Sequence, residues 1–194
     1  IDGMLERDIE PWLCLYHWDL PQALQDRGGW TNRDIVDWFG DYTELLASRL
    51  GDRVKSWVTF NEPNVVAWVG PGIADPRAAM RTAHHLNLCH ARATKIIKGH
   101  FPKAPVGFVL PMHKGYTLPE RQEQDAHLID LFEAKWNGVF LDPVYYGRYP
   151  ELILDRMEPH IRDGDLEAIK TKVDFQGLNQ YFPSYIEAAS DKAW

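Results

Sequence analysis

An α/β fold built on a parallel sheet is predicted by three features of the chain. Four stretches of strand length, near 11–17, 54–61, 105–111 and 173–181, are separated by segments with helical spacing. The first is continuously apolar rather than alternating, the pattern of a parallel strand covered on both faces. The order strand, helix, strand, helix, strand, helix, strand favours parallel pairing, because each helix returns the chain to the same end of the sheet. No long internal repeat or Gly/Ser linker interrupts the 194 residues, so one domain, 1–194, is expected.

The elements follow in order. Ile1, Met4 and Leu5 read as the last turns of a helix with no N-cap, as though cut from something longer. The first strand ends at His17, in phase with Leu13 and Leu15 at the strand period of two. Thr31 with Asp34 resembles a capping box, followed at helical spacing by Ile35, Phe39, Tyr42 and Leu46, with Gly51 just past the end. Residues 54–60 are rich in β-branched and aromatic side chains, and Pro63, which has no N–H for a ladder, closes that strand. After a loop with Gly70-Pro71-Gly72, Asp75 is the N-cap and Pro76 the first residue of a helix over 76–98. Leu86, His90, Ala93 and Ile97 share one of its faces, and Gly99 and Pro102 stop it. A third strand over 106–110 precedes a helix near 119–137 presenting Ile129, Phe132 and Trp136. Residues 138–172 hold one or two short helices, near 151–157 and 165–171. A fourth strand over 174–181 follows, and 190–194 reads as unstructured.

Composition narrows the function. A hydrophobic fraction of 45% supplies ample core. Eight tryptophans exceed what a core of this size needs, and tryptophan also makes flat apolar walls for sugar rings. A net charge of −7, scattered rather than blocked, argues against nucleic acid and anionic membranes as partners. Cys14 and Cys89 lack the density of a disulfide scaffold, and no signal peptide, membrane-length apolar run or Asn-x-Ser/Thr acceptor is visible. The expectation is a soluble cytoplasmic protein. His84, His85 and His90 lack the i, i+4 pairing of a helical zinc site, and Gly70-x-Gly72 lacks the residues of a phosphate loop. No metal or cofactor is expected.

The chemistry concentrates at Thr59-Phe60-Asn61-Glu62-Pro63-Asn64. A glutamate at the C-terminal lip of a parallel strand stands where α/β sheets and barrels place ligands. An amide stands beside it, and a second polar strand end, Tyr16-His17-Trp18-Asp19-Leu20-Pro21, lies one helix earlier. Strict alternation would send Asn61 and Glu62 to opposite faces, so both reach one pocket only if the ladder breaks near residue 61.

These motifs, with Gly28-Gly29-Trp30, Asp142-Pro143, Gly147-Arg148-Tyr149-Pro150 and 174–181 (Asp-Phe-Gln-Gly-Leu-Asn-Gln-Tyr), strongly resemble glycoside hydrolase family 1, the β-glucosidases and their relatives. The resemblance runs essentially end to end. It implies a (β/α)8 TIM barrel, of which this chain supplies about four β/α units, strands three to six. It implies a retaining β-glycosidase acting on terminal β-linked sugars, with a β-glycoside or oligosaccharide as substrate. Glu62 matches the general acid/base, and glutamate rather than the glutamine of some plant relatives implies O-glycosides. The same resemblance makes Asn61 the partner of the sugar 2-hydroxyl and His17 a donor to the 3-hydroxyl, with Trp18 lining that subsite. It puts Asn179 close to the acid/base and the Tyr181 hydroxyl on the nucleophile. The family usually has tyrosine where Gln180 stands, on the opposite strand face. Asp19 is a second carboxylate, read as bonding N–H groups within its turn.

Part of the family pattern is absent. A full barrel takes about 250 residues, and no Glu-Asn-Gly, the family's nucleophile motif, occurs in this chain. The chain reads as a fragment of a family 1 enzyme with its nucleophile elsewhere, completed by the remaining barrel segments or by another copy. The competing reading is a non-catalytic sugar-binding or scaffold half-barrel. A retaining glycosidase of another family, sharing only Asn-Glu-Pro, is a weaker third. His17, Asn61, Glu62, Asn179 and Tyr181 are expected to converge at the C-terminal edge of the strands.

Overall fold

The computed structural model describes residues 1–73 and 75–188; the tail at 190–194 lies outside the described residues. In order come α1 (Asp2–Leu5), β1 (Trp12–Tyr16), α2 (Gln22–Gln25), α3 (Ile35–Leu50), β2 (Ser56–Asn61), α4 (Pro63–Val69), α5 (Pro76–His100) and β3 (Val106–Pro111). Then follow β4 (Gly115–Tyr116), α6 (Gln122–Glu133), α7 (Val139–Tyr146), α8 (Leu154–Met157), α9 (Asp165–Ile169), β5 (Phe175–Asn179) and β6 (Ser184–Tyr185). Four strands pair in parallel in the order β1-β2-β3-β5, the predicted order and sense. A separate parallel pair, β4 with β6, carried no signal in the sequence.

The sheet curls. Trp12 on β1 and Phe175 on β5 belong to the two outermost strands, yet their ring centroids lie 5.2 Å apart. Gly107 on β3 permits this, because a Cβ there would stand 2.2 Å from the Phe175 carbonyl and 2.8 Å from its ring. The helices cover the other face, where α3 gives Ile35 and Phe39 and α5 gives Ala83, Leu86 and Ile97 to a core with Trp57, Phe60, Phe108 and Leu110. Burial of these side chains is the main stabilising term, about 1.5–3 kcal/mol for each large one.

Local chemistry explains where the boundaries fall. Asp75 caps α5, its Oδ1 accepting the Arg77 N–H at 2.9 Å. The capping box at Thr31 does not form: the Thr31 hydroxyl donates to the Gly28 carbonyl at 2.7 Å, and Asn32 Oδ1 instead takes the Asp34 N–H at 3.0 Å. Gly51 follows α3 with φ −64°, so it is needed for space, since a Cβ would meet Phe101 at 2.0 Å. In α3, Tyr42 is exposed, and Thr43 and Ala47 are buried in its place.

The short helices expected within 138–172 fall near 151–157 and 165–171, yet α7 also runs through Pro143, preceded by a π-helical stretch, Ala134–Gly138. The carbonyl that Pro143 cannot bond is that of Val139, and the Asn87 side-chain amide donates to it at 2.9 Å. Gly147, at φ 72°, closes the helix through its N–H to the Pro143 carbonyl at 3.0 Å. The fourth strand stops at Asn179, two residues short of the expected end. Its last register pair is Asn179 with Pro111, where β3 itself ends, so residues beyond it have no partner strand.

Candidate active site

The site is built on a defect in β2. Against β3, Val58 pairs with Gly107 but Asn61 pairs with Val109, so one extra residue is inserted on β2. Thr59 and Phe60 both turn to the helices: the Thr59 hydroxyl meets His90 Nδ1 at 2.8 Å, and Phe60 stacks on Phe39 at 4.8 Å. The next residue, Asn61, then faces the strand ends. Glu62 bonds the Val109 carbonyl through its N–H at 2.8 Å and adopts φ 54°, ψ 58°, a left-handed conformation disfavoured for a residue with a Cβ. Pro63, with its fixed φ and missing N–H, starts α4 immediately after. The bulge and the left-handed turn together put two consecutive side chains on one side of the sheet.

Four of the five residues expected to converge do so. Asn179 Nδ2 donates to Glu62 Oε1 at 2.6 Å and to Asn61 Oδ1 at 3.2 Å. Asn61 Nδ2 lies 3.2 Å from His17 Nε2. An amide nitrogen only donates, so Nε2 is the acceptor and the neutral ring carries its proton on Nδ1. Trp18, at φ 73°, sends its indole N–H to the main-chain carbonyl of Asn61 at 3.1 Å. Each hydrogen-bonding group of the Asn61 side chain is therefore held, and Glu62 is 5% exposed with one strong donor on it. Among the described residues, three non-glycine residues have positive φ, and two of them, Trp18 and Glu62, are here. Backbone strain of this kind clusters at functional sites in proteins.

Tyr181 is the exception. It lies past the end of β5, is 69% exposed, and has its ring against Phe182 rather than the cluster. At the strand period of two, Tyr181 would share a face with Asn179, but the strand has already ended. Gln180 is exposed and donates to the Phe182 carbonyl at 3.4 Å. Asp19 is exposed too, and among the described residues it accepts no hydrogen bond within its turn, contrary to the role expected of it.

One positioning residue escaped the sequence. Asn64 is fully buried and donates to the Trp136 carbonyl at 3.3 Å, tying the start of α4 to the π-helical stretch. An asparagine after a proline looks like a turn residue, so only the fold reveals it. Trp18, expected to line the sugar subsite, has a role the sequence does not show: its indole N–H is bonded to the backbone of the bulge.

The histidines of α5 hold the scaffold. His84 is bonded by the Tyr149 hydroxyl and by Asp165, each at 2.8 Å, and His85 by the Trp30 carbonyl at 2.8 Å. Burial pushes His85 and His90 down to about 4, so both are neutral at neutral pH. Burial opposes ionisation of Asp165, but the Arg33 guanidinium, the Arg162 amide and His84 outweigh it and hold the carboxyl at about 2. Among the described residues, no three His, Cys, Asp or Glu side chains group as a metal site. Among the same described residues, no helix is long and apolar enough to cross a membrane.

Residues 1–193 match the model of the family described as glycosyl hydrolase family 1. The 1,4-beta-D-glucan glucohydrolase of Thermotoga neapolitana is 40% identical over 193 residues, covering 93% of this chain and 45% of that protein. Beta-glucosidase A of Thermotoga maritima is 41% identical, covering 93% and 43%. Among solved structures, the Thermotoga maritima family 1 glycoside hydrolase complexed with a cyclophellitol analogue transition state mimic superposes with a TM-score of 0.87 at 40% identity, covering 99% of this chain and 46% of that one. The same organism's beta-glucosidase in complex with deoxynojirimycin gives 0.85 at 37% identity, covering 95% and 44%. The chain thus spans less than half the length of these relatives, and its curled sheet is part of a (β/α)8 barrel.

Proposed function

The chain belongs to glycosyl hydrolase family 1, and from that premise we propose that it carries the acid/base half of a retaining β-glucosidase-type site acting on O-glycosides. The observation that supports this best is Glu62, buried at the strand ends and held at 2.6 Å by Asn179. In this reading Glu62 protonates the leaving oxygen and then, as carboxylate, deprotonates the water that hydrolyses the glycosyl-enzyme. Asn61 bonds the sugar 2-hydroxyl, a contact that strengthens as the oxocarbenium ion develops. His17 offers its Nδ1–H to a neighbouring hydroxyl, and Trp18 fixes the Asn61 carbonyl from behind. A retaining site needs a second carboxyl about 5–5.5 Å away. We assign that nucleophile to barrel segments outside this chain.

The test uses the enzyme with its barrel complete. Glu62→Ala is expected to spare glycosylation from aryl glycosides with good leaving groups, since a weakly basic phenolate needs no proton to depart, and to slow hydrolysis of the intermediate. Added azide needs no base, so turnover returns and the product is a β-glycosyl azide. An α-azide, or no rescue, rejects the assignment. A protein that binds sugars but is unchanged in turnover by Glu62→Ala would instead favour a binding half-barrel.

A further inference from the structure

At the end of the sheet opposite Glu62, a groove of about 900 Å3 runs between α5 and the segment joining α9 to β5. Its charge contradicts the rest of the chain. Arg92, Lys95, Lys98, Lys103 and Lys172 line it with one acid, Asp174, a local balance of +4. The chain holds 21 basic and 28 acidic residues, so everything outside the groove, 16 against 27, sums to −11. Internal pairing absorbs only part of the positive charge: Lys98 binds Asp174 at 2.5 Å and Arg92 binds Asp37 at 2.9 Å. Among the described residues, Lys95, Lys103 and Lys172 form no ion pair. Three like charges around one concavity repel each other, and an anion relieves that repulsion.

A second observation points into the same groove. Thr94 lines it at 3% exposure, and its hydroxyl has no hydrogen-bond partner, neither the carbonyl one turn back nor a neighbour. Buried hydroxyls are normally satisfied, so this one leaves a bonding demand unmet in the groove wall. Beside it, Val36, Leu88, Ala91, Pro102 and Ala168 give the groove an apolar floor. From the cationic rim, the unpaired hydroxyl and the apolar floor, we propose that this groove binds an organic polyphosphate, an apolar or heterocyclic body carrying two or more phosphates. The phosphates lie across Lys95, Lys103 and Lys172, and the body covers the floor. The site is independent of the glycosidase reading, because none of its residues belongs to the Glu62 cluster.

Isothermal titration of the protein at low salt tests this with three probes: ATP without metal, inorganic tripolyphosphate and adenosine. ATP is expected to bind, tripolyphosphate to bind more weakly, and adenosine to give no saturable heat. Lys95→Glu and Lys103→Glu each weaken ATP by about tenfold, as loss of a charge-assisted contact requires, while Lys55→Glu, outside the groove, leaves it unchanged. Thr94→Val weakens ATP without changing net charge, which separates the site from general electrostatic attraction. Far-UV circular dichroism checks each variant; Lys95→Gln and Lys103→Gln replace any charge reversal that disturbs it. The proposal is overturned if ATP does not bind, or if tripolyphosphate binds as tightly as ATP. It is equally overturned if Lys55→Glu weakens binding as much as Lys95→Glu.

Discussion

Glu62 combines two things a protein seldom gives one residue, burial and a left-handed backbone. Neither favours folding, so both are explained by where they aim the carboxylate. The strain has a measurable signature. Glu62→Ala and Glu62→Gly both remove the carboxylate and its bond to Asn179, but alanine keeps the Cβ that clashes at φ 54°. The glycine variant is therefore expected to be more stable than the alanine variant by about 1 kcal/mol in urea unfolding. The opposite ranking would mean that the flexibility of glycine in the unfolded chain outweighs the strain, and that the conformation is relaxed. The family resemblance puts Asn179 close to Glu62, and the structure makes it the bridge between Asn61 and Glu62.

Among the elements, α5 carries the most. It puts fifteen of its residues in the buried interior, three of them histidines. Two of those histidines sit near 4 in the fold against an ordinary value of 6.5. A depressed base takes up its proton on unfolding first, so the unfolded state binds more protons as pH falls below 6.5. Stability is then complete above about 6.5 and falls towards pH 4, on the order of 3 kcal/mol for each histidine. His90→Gln keeps a polar partner for Thr59 without a titrating group, so its midpoint temperature should fall less between pH 7 and pH 4.5 than that of the parent. Equal falls, measured by calorimetry, would remove His90 from the acid response.

For the whole molecule, the sheet order leaves β1 and β5 each with one neighbour in the four-stranded sheet. Exposed strand edges carry unpaired N–H and C=O groups and invite pairing with another segment. Leu178, on the edge strand β5, is 59% exposed. The 194-residue chain assayed by itself is therefore expected to leave a nitrophenyl β-glucoside intact and to self-associate in solution, by light scattering. A cooperative monomer that turns the substrate over would show that Glu62 works without a carboxyl from further barrel segments.

What the sequence determined by itself was the strand count, order and sense of the main sheet, and the residues 17, 61, 62 and 179 as one group. These follow from hydrophobic period, breakers and short motifs, all of which are local or are carried by family resemblance. It misplaced Tyr181 because strand length depends on where the partner β3 ends, and that is a pairing fact. It missed α7 because the carbonyl orphaned by Pro143 is satisfied by Asn87, more than fifty residues away in the chain. It foresaw a break in β2 but not the left-handed turn at Glu62, nor that Trp18 would spend its indole N–H on the bulge. Only the tertiary structure decided these, because each depends on a hydrogen bond between residues the sequence keeps far apart.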